Sequence, residues 1–133
     1  MFDKSKLKYG KDGLIPAVVQ DFVSGEVLTV AYMNAESPEI TLKEKCTCFY
    51  SRSRQQLWRK GESSGNVQHV VSVKTDCDAD ALVVQVIKEG PACHTGAESC
   101  FFELLYEDET KQRFTLGALY DLIMGRKDSM QEG

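Results

Sequence analysis

Asp76-Cys77-Asp78-Ala79-Asp80-Ala81-Leu82-Val83-Val84-Gln85-Val86-Ile87-Lys88-Glu89-Gly90-Pro91-Ala92-Cys93-His94-Thr95-Gly96-Ala97-Glu98-Ser99-Cys100 holds three of the chain's five cysteines, three aspartates at alternate positions and one of its two histidines. The apolar run Ala81 to Ile87 reads as a buried strand, bounded by an acidic cluster before it and Gly-Pro after it. Thiolates prefer soft, zinc-like ions, whereas clustered carboxylates prefer hard ions such as magnesium or calcium. Two kinds of candidate metal site joined by one strand point to catalysis more than to structural support.

Outward from that stretch, 133 residues are enough for one domain with a real core and too few to expect two, so 1–133 is read as a single domain. A net charge of −4 argues against nonspecific binding to nucleic acid or an anionic membrane. No apolar run follows the basic start (Met1 to Lys11), and no stretch has the ~18 apolar residues that a membrane span needs. Five cysteines without a secretory signal suit a reducing compartment. The expected location is cytoplasmic.

In chain order, Leu14 to Phe22 and Glu26 to Met33 are apolar segments around Ser24-Gly25, the pattern of a β-hairpin. Ser37-Pro38-Glu39 predicts a helix start with Ser37 as N-cap, and the helix should reach about Lys45. Strands are expected over Cys46 to Ser51, Val67 to Val73, Ala81 to Lys88 and Cys100 to Glu107. Phe114, Ala118, Leu119, Leu122 and Ile123 recur at helical spacing. The fold class is α+β, mainly β: antiparallel strands with one or two helices.

Ser51 to Gly65 packs four cations, several hydroxyls, two glycines and the only tryptophan into fifteen residues. Arginine forks and serine hydroxyls hold phosphate, but a solvated basic loop has the same composition. Cys77, Cys93 and Cys100 lack the paired spacing of a zinc ribbon, so two readings stand. They are buried structural thiols, or three ligands that leave a zinc position open for water, which the metal would acidify. Asp76, Asp78 and Asp80 would share one face of an extended backbone with Cys77 on the other, and such carboxylates repel unless a cation sits among them. His94, beside Cys93, is the candidate proton carrier, and His69 reads as an ordinary strand residue. Cys46 and Cys48 read as small buried hydrophobes, and Trp58 could stack on a ring or fill the core, with the core favoured for a lone tryptophan.

Taken together, Gly13 to Asp21, Ala31-Tyr32-Met33-Asn34, Phe49 to Arg54, Leu57-Trp58-x-Lys60-Gly61-Glu62-x-Ser64-Gly65, Asp76-Cys77-Asp78-x-Asp80 and Gly90 to Gly96 with Ser99-Cys100-Phe101 resemble phosphoribosyl-AMP cyclohydrolase. The motifs run in that family's order from about residue 10 to 105. The resemblance implies hydrolysis of the adenine ring of phosphoribosyl-AMP at N1–C6, a step of histidine biosynthesis. It implies zinc on Cys77, Cys93 and Cys100, and magnesium on Asp76, Asp78 and Asp80. It also implies a homodimer whose zinc cysteines come from both chains. Phosphate contacts are then expected from Ser51, Arg52, Ser53, Arg54 and Lys60. No motif is matched after Tyr106, so a monofunctional chain is expected. A purine deaminase would carry H-x-E and P-C-x-x-C signatures, which are absent. A purely structural zinc module would need a fourth protein ligand and no aspartate triplet.

Overall fold

The alternation of apolar residues in the two segments before residue 34 produces a hairpin, and the rest of the sheet is built on it. The structure is a computed structural model describing residues 1–111 and 120–125. Strands β1 (Ile15–Asp21) and β2 (Val27–Met33) pair antiparallel, with a bulge between Val19 and Gln20. The connecting turn needs Gly25 at φ 80°, where only glycine is unstrained. Helix α1 (Ser37–Glu44) follows, then a second hairpin of β3 (Cys48–Ser51) and β4 (Gln56–Arg59), then β5 (Gln68–Thr75) and β6 (Leu82–Lys88). The main sheet has the order β2-β1-β6-β5, and β3-β4 forms a separate two-stranded sheet.

β6 is central, as its largely apolar sequence, broken only by Gln85 before Lys88, suits. It pairs antiparallel with β5 but parallel with β1, so the sheet is mixed and not wholly antiparallel. One face is the core: Ile15, Ala17 and Val19 of β1, Leu28 and Met33 of β2, and Leu82, Val84 and Val86 of β6 pack with Phe49 and Ala92. Fully burying each large aliphatic side chain is worth about 1.5–3 kcal/mol, so this layer supplies the main driving force of the fold. Val18 and Gln20, Val83 and Gln85 point to the opposite face. There Ser72 Oγ donates to Gln85 Oε1 (2.7 Å), Gln85 Nε2 donates to Gln20 Oε1 (3.1 Å), and valines stand half-exposed beside them.

Several local expectations change. Ser37 is inside the helix, and the capping is done by Asn34: its Oδ1 accepts from the N–H groups of Glu36 (3.1 Å) and Ser37 (3.0 Å). The helix closes on Lys45, whose left-handed backbone (φ 62°) ends the helical run. The third strand begins at Cys48, and Cys46 makes an isolated bridge with His69. Four residues of the basic stretch form strand β4, with Phe49 opposite Trp58 and Tyr50 opposite Leu57. Cys100 to Glu107 is not a strand. Cys100 N–H donates to Leu28 O of β2 (2.7 Å), no ladder follows, and Phe101, Leu104, Leu105 and Tyr106 are exposed.

The chain divides into two compact units, Met1–Phe102 and Glu103–Gly133. In the second, residues 120–125 are helical, in agreement with the periodicity at Leu122 and Ile123, while Phe114, Ala118 and Leu119 lie outside the described residues. No helix among the described residues is long and apolar enough to cross a membrane.

Candidate active site

Beneath the β3–β4 hairpin, the edge strand β2 and the segment after β6 enclose an open cleft of about 320 Å³. β2 contributes Thr29 to Tyr32; the hairpin contributes Phe49, Tyr50, Ser51, Arg52 and Trp58; Lys60, Gln68, Ala92, His94 and Cys100 complete the lining. The Arg52 guanidinium stacks on Tyr32 at 4.0 Å from the ring centroid, which aims its fork from the hairpin turn toward the cleft. Lys60 is half-buried, with Nζ 5.9 Å from the Trp58 ring centroid. Two cations on one side of an aromatic-lined cleft suit an anionic ligand that carries a planar ring.

Of the expected phosphate contacts, Ser51, Arg52 and Lys60 line this cleft, whereas Ser53 and Arg54 occupy the exposed turn between β3 and β4. That turn is held by Ser51 Oγ, which accepts from Arg54 N–H (3.3 Å) and lies 3.4 Å from Ser53 Oγ. Trp58 is not a core residue. It is 41% exposed and tilted against Phe49 at 5.8 Å between ring centroids, because β4 pairs only with β3 in a two-stranded sheet.

The thiols divide into a pair and a single. Cys93 begins a tight turn closed by Gly96 N–H to Cys93 O (3.0 Å), with Gly96 at φ +93°, and Cys93 N–H donates to Ala97 O (3.1 Å). Ser99 Oγ donates to Val27 O (2.8 Å) and Cys100 N–H to Leu28 O, so β2 anchors the far end of this segment. These ties bring the Cys93 and Cys100 thiols close enough for each to influence the other's titration. Thr95 Oγ1 donates to Cys93 Sγ (3.0 Å), and with the Thr95 N–H it holds the Cys93 thiol below its usual range. Desolvation pushes the Cys100 thiol up, against the Thr29 hydroxyl and with the help of Cys93. Two neighbouring cysteine sulfurs are a donor set that fits a soft cation. His94 is exposed and lines the cleft beside them. Cys77 is exposed in the turn before β6 and does not join the pair.

That turn also revises the geometry of the aspartates. Asp76 to Asp80 is a turn and not an extended segment, because Ala79 is buried with its backbone left-handed (φ 61°) and Ala79 N–H closes on Asp76 O (3.2 Å). The turn nevertheless gathers Asp76, Asp78 and Asp80 so that a carboxylate oxygen from each lies within 4.8 Å of the others. It is the only such ligand trio among the described residues. Hydrogen bonding with Asp78, then with Asp76, pushes Asp80 up to about 6. Asp76 is opposed by desolvation, yet it stays below its usual value because Asp80 N–H (3.0 Å) and its carboxyl neighbours bond to it. Three exposed, mutually repelling carboxylates fit a hard divalent cation.

Cys48 is buried, as expected for a small hydrophobe, with its N–H on Thr41 Oγ1 (3.0 Å). Cys46 is only half-buried, with Sγ 3.8 Å from Nδ1 of the exposed His69. The sequence gives no role to Gln68, and Tyr32 figures in it only as part of a motif. Gln68 could have been singled out: it is a polar residue at an inward position of an alternating strand.

A small mixed β-sheet carrying a cationic, aromatic-lined cleft with a thiol pair beside it, and a carboxylate trio in a separate turn, is the arrangement of a candidate enzyme site. A family profile for PRA-CH, phosphoribosyl-AMP cyclohydrolase, matches residues 29–102. The histidine biosynthesis bifunctional protein HisIE of Bacillus subtilis is 53% identical over 134 residues, covering 100% of this chain and 64% of that protein. The phosphoribosyl-AMP cyclohydrolase of Chloroherpeton thalassium is 51% identical over 104 residues, 78% of this chain and 74% of its own length. That of Clostridium botulinum is 56% identical over 94 residues, 71% and 86% respectively. The chain therefore belongs to the phosphoribosyl-AMP cyclohydrolase family. It spans under two thirds of the length of the bifunctional relative from Bacillus subtilis.

Proposed function

We propose that the protein hydrolyses the N1–C6 bond of the adenine ring of phosphoribosyl-AMP in histidine biosynthesis, as a homodimer that uses zinc and magnesium. The observation that carries this reading is one cleft lined by two cations, an exposed tryptophan, a histidine and one member of a thiol pair. Arg52 and Lys60 bind phosphate through charge-assisted contacts, with Ser51 as an added donor. Ser53 and Arg54 act at the rim, where only an extended ligand with a second phosphate reaches them. The ring lies against Trp58.

Cys93 and Cys100 of one protomer, with Cys77 of a second copy, hold zinc. Bound there, the metal supplies a polarised water and a Lewis acid. Asp76, Asp78 and Asp80 hold magnesium, whose charge relieves their repulsion. The ribosyl group on N1 leaves C6 electron-poor. Water adds its oxygen to C6, and His94 takes a proton from that water through a ring nitrogen. His94 returns a proton to N1 as the N1–C6 bond breaks, leaving an aminoimidazole carboxamide with a formimino link to the second phosphoribosyl group. The half-exposed outer sheet face, with Ile87 at 48% and Val30 at 43%, supports a partner surface for the second copy.

Ring opening of phosphoribosyl-AMP followed by ultraviolet absorbance tests the reading. The absorbance change should appear with purified protein, vanish with chelator and return on adding zinc. Release of ammonia in place of ring opening, or full activity after removal of metal, would sink it.

A further inference from the structure

Gln68 opens β5 opposite Lys88 and is 1% exposed. Thr47 Oγ1, itself buried, donates to Gln68 Oε1 at 2.9 Å. The other end of the amide, Nε2, is buried and has no hydrogen-bond partner, and it is the only such side-chain atom among the described residues. Buried donors are nearly always bonded, so an exception in a cleft-lining residue points to a group that arrives with the ligand. Gln68 lines the same cleft as Arg52, Trp58, Lys60 and Cys100.

The depth and charge of the site decide which part of the ligand that is. Arg52 is exposed and Lys60 half-buried, so the cationic groups lie where a phosphate can keep part of its hydration. A phosphate brought down to Gln68 would lose that hydration for a single neutral donor, which is strongly unfavourable. The floor beside Gln68 is instead aromatic, with Phe49 at 1% exposed and tilted against Trp58. A neutral donor beside aromatic faces matches a planar heterocycle with a ring nitrogen or oxygen that accepts a hydrogen bond. We infer that Gln68 is a specificity-determining residue that donates from Nε2 to a neutral acceptor atom of the substrate's heteroaromatic base. Thr47 is the positioning residue that holds the amide in that sense. This rests on the reading of the cleft as the site for a purine nucleotide.

The test is an equilibrium titration of the metal-loaded full chain, followed by fluorescence of Trp58, the only tryptophan. AMP and ribose 5-phosphate are the probes, used with wild type, Gln68→Glu and Gln68→Met. Gln68→Met should bind AMP about 2- to 12-fold more weakly, the loss expected for one neutral hydrogen bond, and should bind ribose 5-phosphate as wild type does; Gln68→Glu, whose added negative charge also opposes phosphate, should lose at least as much for AMP. Equal losses for the two probes in Gln68→Met, or no loss for AMP, would overturn the assignment. A measurement on wild type alone guards against a folding defect in the variants: the Gln68 side-chain amide signals in a nitrogen-15 NMR spectrum should move on adding AMP and stay in place with ribose 5-phosphate. Signals unmoved by AMP overturn the inference while leaving the proposed function standing. Wild type that binds neither probe and opens no ring overturns both.

Discussion

Mixing two inactive variants should restore activity, and the amount is fixed by geometry. Two thiolates on one zinc lie no more than about 4.6 Å apart, given bonds near 2.3 Å. Cys77 lies in the turn before β6, whereas Cys100 hangs from Leu28 of β2. β1 stands between β2 and β6, so the lateral separation is two strand spacings, ~10 Å. Gln20 pairs with both Val27 and Gln85, so Leu28 is near the level of Gln85, three residues beyond the start of β6. Three residues add ~10 Å along the strand, for a total of ~14 Å, more than two cysteine side chains can span. A two-fold partner can close that gap and would create two equivalent sites. Cys77→Ala and Cys93→Ala proteins, each inactive alone, are mixed under conditions that exchange subunits. In each mixed dimer one site carries both lesions and the other none. Random pairing of equal amounts therefore restores roughly a quarter of wild-type sites, read as ring-opening rate and as bound zinc. A mixture proven to contain mixed dimers yet showing no recovery would refute the reasoning.

His94→Ala should lower kcat by ~10²–10⁴-fold with zinc still bound, and His69→Ala should change it little; similar losses in both would remove His94 from the proton path. Asp80, pushed up to about 6, must lose its proton to a cation, so magnesium affinity at the aspartate turn should fall as pH drops through about 6. The same group is raised above its unfolded value of ~3.9, so the cation-free protein should lose stability as pH rises from about 4 to about 6, and magnesium should abolish that trend in thermal melts. Asn34→Ala should cost about 0.5–2 kcal/mol in denaturant unfolding, through loss of the α1 cap, whereas Ser53→Ala should be near neutral.

The parts of the fold legible in the sequence are those where one signal dominates. β1, β2 and β6 alternate or run largely apolar, and Ser24-Gly25 reads as a turn. β4 was hidden because Trp58 and Leu57 are flanked by cations that suggest a loop, although pairing with Phe49 and Tyr50 across the hairpin suffices for a short strand. The exposed apolar run after Cys100 resembles a strand by composition, but no sheet edge continues a ladder with it. In the aspartate cluster the residues were legible and the backbone was not, since a left-handed alanine is a tertiary outcome enforced by burial of Ala79. The cysteines were legible as candidates, but which two would meet depended on how the segment after β6 crosses to β2, a long-range contact that spacing does not encode.

The parallel pairing of β1 with β6 governs how the chain comes together. Their paired residues, such as Val19 and Val84, are 65 positions apart. Closing so large a loop delays folding relative to the local hairpins. Until residue 88 has left the ribosome, the first hairpin presents β1 as an open edge lined with valine, ready to pair with another chain. A stalled nascent chain ending before Leu82 should therefore be bound by chaperones or self-associate, and one extended past Lys88 should resist protease. Insertion of the last central strand is thus the committing step of biogenesis, and the segment bearing Cys93 and Cys100 emerges only after that strand.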